Sequence, residues 1–258
     1  MTALPDLSPA PRAADRTQRV VAHARMEASL LLRNGEQLLL ALVIPAGLLL
    51  AWRFVLPPSL VDPQTFPASV LALAVWSTGF TSLAITTAFE LRHGVLERLA
   101  ATPLRPADLI LGKSLATAAI AVAQLIVLAG LAIMLGWRPG AASAATFGWG
   151  GVAGPASVLL AMLDAVVALV AFASLALALA TRLRAEIVLG LANLIYLAGA
   201  AAGLVYPVPA LWWLPTSALG EAFRGSAEGF TPIWPSGVLV VWGLAAVLIA
   251  RKVFRWMS

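Results

Sequence analysis

The chain has no cysteine, two histidines and two tyrosines in 258 residues, and only 11% of its residues are charged. Without cysteine there is no disulfide and no thiolate metal site, and the redox compartment stays open. His23 and His93 stand too far apart in sequence to supply metal-ligand spacing. A soluble domain charges about a quarter of its residues. The shortage here, with 61% hydrophobic residues and a mean hydropathy of +0.92, excludes that class and points to a bilayer. The N-terminus also lacks the apolar core of a signal peptide. Pro5, Asp6, Pro9, Pro11 and Asp15 occupy it instead, so residues 1–15 read as a disordered cytoplasmic tail on an uncleaved chain.

What the chain has is long apolar runs, near 38–55, 67–89, 108–136, 155–181, 186–206 and 235–249. At 1.5 Å per residue such runs can cross a hydrocarbon core about 30 Å thick. They are continuous rather than alternating, which makes them helices and not barrel strands. The expected fold is therefore all-α and polytopic, with a six-span domain over 38–258. Residues 16–37 precede it, with Val20, Val21, Ala24, Ala28, Leu31 and Leu32 on one face and Arg19, Arg25, Glu27 and Arg33 outside it. That pattern suits an amphipathic helix in the interface plane, or a simple extension of the first span, with Asn34 and Gly35 as the break.

Positive charge sets the orientation. Arg12, Arg16, Arg19, Arg25 and Arg33 precede the first span; Arg92, Arg98, Arg105 and Lys113 follow the second; Arg182, Arg184, Arg251, Lys252 and Arg255 fall on the same side. Arg53, Arg138 and Arg224 lie opposite, so both termini are expected in the cytoplasm. Arginines near anionic headgroups account for the net charge of +5 without any nucleic acid. Trp52, Trp137, Trp149, Trp212, Trp213 and Trp234 fall at the outer ends, where an indole bridges acyl chains and water. Arginine in place of lysine, with much Ala and Pro, suits a GC-rich bacterial genome.

Between the second and third runs lies ELRHGVLERLAATPLRPADLILGKS, residues 90–114. Leu91, Val95 and Leu99 recur every four residues and Leu96 widens their stripe, while Glu90, Arg92, His93, Glu97 and Arg98 fill the other face. Pro103 stops that helix, and Pro106 with Asp108 suits the first turn of the next. Gly112, Lys113 and Ser114 mimic the end of a phosphate-binding loop, but its first glycine is replaced by Ala107 and no strand precedes it. The residues thus offer no ATP site.

Within the runs, Thr78, Ser82 and Thr86 share helical spacing, with Ser77 and Thr81 alongside, and suit close packing or a polar path. Gly199 and Gly203 suit packing. Asp164 lies deep in the fourth run, with Tyr196, Gln124 and Asn193 nearest by depth; it is a buried hydrogen-bonding group or a transport residue. The stretch 207–235 is too apolar for a solvated loop at Trp212–Gly225. Pro215, Thr216 and Ser217 start a short helix there that Gly225 can end, giving a re-entrant or interfacial hairpin, or else an ordered surface loop.

The motif of Glu90, Gly94, Val95, Leu96, Glu97 and Arg98, then Ala101, Thr102, Pro103, Leu104, Gly112 and Lys113, resembles the type-2 ATP-binding-cassette exporter permeases. That group includes daunorubicin-type drug exporters and polysaccharide and teichoic acid exporters. The stretch LPTSALGEAFRG at 214–225 is a second match, and the resemblance covers about residues 16–255. It implies a non-enzymatic permease in a bacterial cell membrane, moving drug-like, lipidic or glycan cargo outward. It implies a coupling helix of Glu90, Leu91, His93, Gly94, Leu96, Glu97, Arg98, Thr102 and Pro103, seated on a separate ATPase. Two ATPase copies would hold ATP and Mg2+, and a second permease, identical or paralogous, would complete the path. Thr78, Ser82, Asp164 and Asn193 are the candidates to line that path. A proton-coupled carrier using Asp164, or a membrane anchor for cytoplasmic partners, are the other functions these residues allow.

Overall fold

A computed structural model of the chain describes residues 14–33, 35–140 and 151–253, the side chains of 36–40 excepted. The expectations for residues 1–13, Asn34, Trp149 and Arg255 lie outside these described residues. Helix α1 is Arg16–Arg33, and α2, Gly35–Phe54, contains Pro45. Helix α3 (Phe66–Trp76), a π-helical segment at Ser77–Ser82 and α4 (Leu83–Arg92) run on as one 27-residue rod. After Gly94 comes the short α5, Val95–Ala100, then α6, Pro106–Met134. Strand β1 (Gly151–Ala153) leads into α7 (Pro155–Ala180), and α8 (Ala185–Gly199) continues through a π-type segment to Leu204. Helix α9 (Pro215–Glu228), strand β2 (Phe230–Pro232) and α10 (Trp234–Val253) complete the order.

Among the described residues five helices are long and apolar enough to cross a membrane: Phe66–Arg92, Pro106–Met134, Pro155–Ala180, Ala185–Leu204 and Trp234–Val253. In α2 the described apolar stretch is Ala41–Phe54. The protein is an all-α multi-pass membrane protein, the strands among its described residues amounting to one antiparallel ribbon with Val152 opposite Thr231.

The rod is the pillar of the bundle. Its apolar window is 83% buried, against 28% for α6 and 22% each for α8 and α10. Those exposed flanks are what lipid or another protein must cover. Helix α7 packs on the rod through Leu169 and Phe172, which lie against Gly79, and both are nearly inaccessible. Trp76 stacks on Phe80 at 4.6 Å and meets Phe172 edge-on at 4.5 Å, which fixes the rod's middle against α7.

Cross-links group the loops into two ends. At one, Arg16 pairs with Asp108, Arg92 with Glu186, and Arg182 donates to the Val253 carbonyl. The charge-rich loops therefore share an end. At the other, Gln64 Nε2 donates to the Arg138 and Ala227 carbonyls, Gly140 N–H donates to Ala227, and the ribbon joins β1 to β2. Trp137 belongs to this end but not to a lipid boundary as expected. It is buried, and its Nε1 donates to the Gln64 carbonyl at 2.8 Å, holding the loop before α3.

Helix α9 is buried at twelve of its fourteen residues, which excludes a surface loop. Its N-terminal Thr216 touches the middle of the bundle near Trp76 and Gly199, while Ala227 bonds at the loop end, so the helix runs only part of the depth. Gly225 does not end it, contrary to the sequence expectation; a side chain there would lie 2.6 Å from the Phe230 carbonyl. The end comes at Gly229, whose φ of 83° is the left-handed conformation a helix C-terminus favours in glycine. Gly199 packs under Trp76 and against Thr216, and Gly203, at φ 97° where α8 unwinds, packs against Ser217, so both serve close packing on α9 as expected. The carbonyls freed there, Gly203 and Leu204, accept hydrogen bonds from buried Arg224 at 3.0 and 2.8 Å, and Glu221 pairs with the same guanidinium at 2.9 Å. Arg224 thus serves backbone inside the protein and not an exposed loop.

Candidate functional site

The segment between the rod and α6 is two helices and not one. Gly94, at φ 68°, breaks the helical register and opens α5, a conformation that costs other L-residues about 1–2 kcal/mol. The break alters which side chains meet. Leu91, Leu96 and Leu109 form a small core of their own, with Leu99 and Leu104 packed on it, separate from the main core. Val95 turns instead toward a cavity described below. Leu91 and Leu96 are therefore buried supports beneath α5. His93, Glu97, Arg98, Thr102 and Pro103 remain exposed, and Gly94 is half-buried. Thr102 donates to the Leu99 carbonyl at 2.6 Å and closes α5.

Glu90 turns inward. Its Oε2 lies 2.7 Å from Lys113 Nζ on α6, and Glu27 Oε1 on α1 lies 2.8 Å from the same ammonium. Three helices meet at one lysine. Its side chain is 1% exposed, so Lys113 does not act as a loop charge. Glu27 is buried too, contrary to its expected place on the polar face of α1. The buried face of that helix is Val20, His23 and Glu27, turned to α6, while Val21 and Leu32 are exposed. The face was misread because α1 packs against a charged helix start as well as an apolar surface: Asp108 of α6 accepts Arg16 Nε at 2.7 Å and lies 3.5 Å from Arg19. His23 sits against Gly112, where any side chain would collide with its ring. Burial holds the His23 imidazole below its ordinary pKa of 6.5; Glu27 opposes that shift and Lys113 adds to it.

Above this cluster a cavity of about 840 Å3 opens between α1, α2, the rod and α8. The size suits a drug-sized molecule. Leu30, Leu31, Ile44, Ile85 and Phe89 supply apolar walls, and Ser77, Thr81, Ser82, Thr86, Thr117 and Asn193 supply polar groups. Glu27, Glu90 and His93 line it as well. Ser77, Thr81 and Ser82 belong to the π-helical segment of the rod, a distortion that recurs at functional sites.

Two of the four residues expected on a transport path, Ser82 and Asn193, line this cavity. Thr78 lies beside it on a small void of about 30 Å3, donating to Gln124 Oε1 at 2.7 Å, and Gln124 in turn donates to the Ala41 carbonyl. Asp164 is not brought there. It accepts a hydrogen bond from Ser236 on α10 at 3.0 Å, so its partner is none of Tyr196, Gln124 or Asn193. Depth along a span cannot report which neighbouring helix a side chain faces, and α7 packs most heavily on α10. Glu27 and Lys113 were missed as a pair. The available signal was Lys113 itself, an ionisable residue inside a long apolar run, which requires a partner. Gly112, Lys113 and Ser114 lie within α6, in helix and not in a phosphate-binding loop.

This combination of a polytopic bundle, a charged helix between two spans and a cavity beside the second span defines a membrane transport subunit. The model of the ABC-2 family transporter proteins matches residues 60–252, and the chain belongs to that family. It is a permease subunit of an ABC transporter and is not itself catalytic. A comparison with curated proteins finds no match.

Proposed function

We propose that the chain is the membrane subunit of an ATP-driven exporter in a bacterial cell membrane, with α5 seated on a separate cytoplasmic ATPase. The observation that carries this reading is the build of α5. It is an exposed, charged helix pinned from beneath by Leu96 and joined through Gly94 to the rod and through Pro103 to α6. Both termini and α5 face the cytoplasm in this reading, since the arginine-rich loops share one end.

The ATPase, in two copies, would bind ATP and Mg2+; a second permease, identical or paralogous, and surrounding lipid would complete the assembly. Closure of the ATPase pair displaces α5, and the leucine core passes that displacement to the rod and α6. The cavity is bounded by the rod, so its walls move with it. Reversing a 99:1 preference between two permease states requires about 5.5 kcal/mol of differential affinity from the ATPase. A drug-like, lipidic or glycan molecule is taken up beside Ser82 and Asn193 and released on the outer side.

The test is charge reversal of the exposed pair, E97R with R98E, in the permease reconstituted with its ATPase. Transport-coupled ATP hydrolysis falls while the permease still folds and inserts. Full retention of coupling would show that α5 is not the contact.

A further inference from the structure

Among the described residues the cluster below the cavity sets two carboxyl groups against one ammonium. Glu27 and Glu90 share Lys113. His23, 3.5 Å from Glu27 and held below its ordinary pKa by burial, is neutral at pH 7 and cannot be the second cation. The neighbouring arginines are committed elsewhere: Arg16 and Arg19 to Asp108, Arg92 to Glu186. Two carboxyl groups thus share one ammonium, and both reach the cavity, Glu90 the more exposed at 22% against 8% for Glu27.

Two further observations point to a ligand at that spot. Thr81 lines the same cavity, is 8% exposed, and its Oγ1 has no hydrogen-bond partner among the described residues. A hydroxyl that deeply placed normally finds one. Phe89 lines the same cavity as Glu90, its ring stacked beside His93, and an aromatic wall and a carboxyl group in one cavity are the components of a cation site.

We propose that this cavity binds a lipophilic cation, with the positive group of the ligand against Glu90 and Phe89 and its apolar body along Leu30, Leu31, Ile44 and Ile85. A cation beside Glu90 favours its ionised form, and the apolar walls set the preference for an amphiphile over a small inorganic ion. Reading the bound cation as cargo rests on the transport function proposed above; its binding does not.

Three ions and molecules of nearly one shape separate charge from size: tetraphenylphosphonium, tetraphenylborate and neutral tetraphenylmethane. Equilibrium binding of each is measured to the purified permease in zwitterionic nanodiscs, with empty nanodiscs as the background for partitioning. Tetraphenylphosphonium binds saturably, at least tenfold more tightly than the borate or the neutral compound. In E90Q, which leaves Lys113 paired with Glu27, that preference drops by tenfold or more, and E90D restores most of it. I85W, which fills the cavity and leaves the cluster intact, abolishes saturable binding and guards against misfolding of the Glu90 variants. Equal binding of all three probes, or tetraphenylphosphonium binding unchanged in both E90Q and I85W, overturns the site. Coupling through Glu97 and Arg98 is read without any of these probes, so either proposal can fail while the other stands.

Discussion

Lys113 Nζ stands 2.7 Å from Glu90 Oε2 at the end of the rod while also holding Glu27 of α1, so one ammonium ties three helices together. Breaking a buried ion pair from one side costs about 3–5 kcal/mol, because the remaining charges lose their partner. K113M therefore lowers the melting temperature of the detergent-purified protein by several degrees, and neutralising all three positions with E27Q, E90Q and K113M recovers most of it. A single K113M variant as stable as the parent would mean the three side chains do not meet.

Gly94 is left-handed, and a side chain there would meet little, only Glu97 Oε2 at 3.7 Å. Substitution is thus a test of backbone conformation and not of crowding. G94V costs about 1–2 kcal/mol and reorients α5, whereas G94N, which tolerates that conformation, costs less. Thermal melts rank the two variants, and ATP hydrolysis coupled to transport falls in the same order.

Arg224 satisfies two carbonyls at the point where α8 unwinds. Hydrogen bonds to a charged group contribute about 1.5–3 kcal/mol each, so R224M is among the more damaging single changes in the chain. R224K keeps the charge but not the fork of donors, and it restores only part of the loss. Equal stability of R224K and the parent would contradict the two-carbonyl geometry.

Asp164 accepts from Ser236, a bond an asparagine can also accept. In reconstituted vesicles D164N leaves transport and its pH profile as they were, while D164L, which leaves the Ser236 hydroxyl without its acceptor, lowers stability. Loss of pH dependence in D164N would instead give Asp164 a proton-carrying role.

Asp62 Oδ1 accepts the backbone N–H of Gln64 at 2.7 Å and of Thr65 at 2.8 Å just before α3. The Thr65 N–H, aided by that of Gln64, holds this carboxyl below its usual range, with partial burial opposing. A folded-state pKa below the unfolded one means the contribution is complete above the ordinary carboxylate range and is lost as pH falls through the folded value. D62A costs about 1 kcal/mol at neutral pH, and the gap between D62A and parent closes in acid. D62N keeps an acceptor and shows no such closure. Melting curves of the three proteins at neutral and acid pH distinguish these outcomes.

The spanning helices were legible because lipid offers backbone groups no partner, which forces long continuous apolar runs whose ends can be read from composition. The exposed face of α5 was legible for a similar reason: charge between two apolar runs has to sit outside them. Register around Gly94 was not, since glycine marks a break without saying how far the chain turns. The two faces of α1 were misassigned because Glu27 is polar by type, yet lies in a row with Val20 and His23 that meets Lys113, 86 residues away. No local pattern carries that separation.

The sequence by itself determined a charged helix held between apolar spans and a family to which such a segment belongs, because both are written in residue types close together in the chain. Only the tertiary structure decided that Glu90 turns inward, that Asp164 faces Ser236, and that the hydroxyls of Ser77, Thr81 and Ser82 open on the same cavity as Glu90. Those outcomes depend on how helices rotate against one another, and rotation is set by packing among α1, α4, α6, α7 and α10 and not by any one segment.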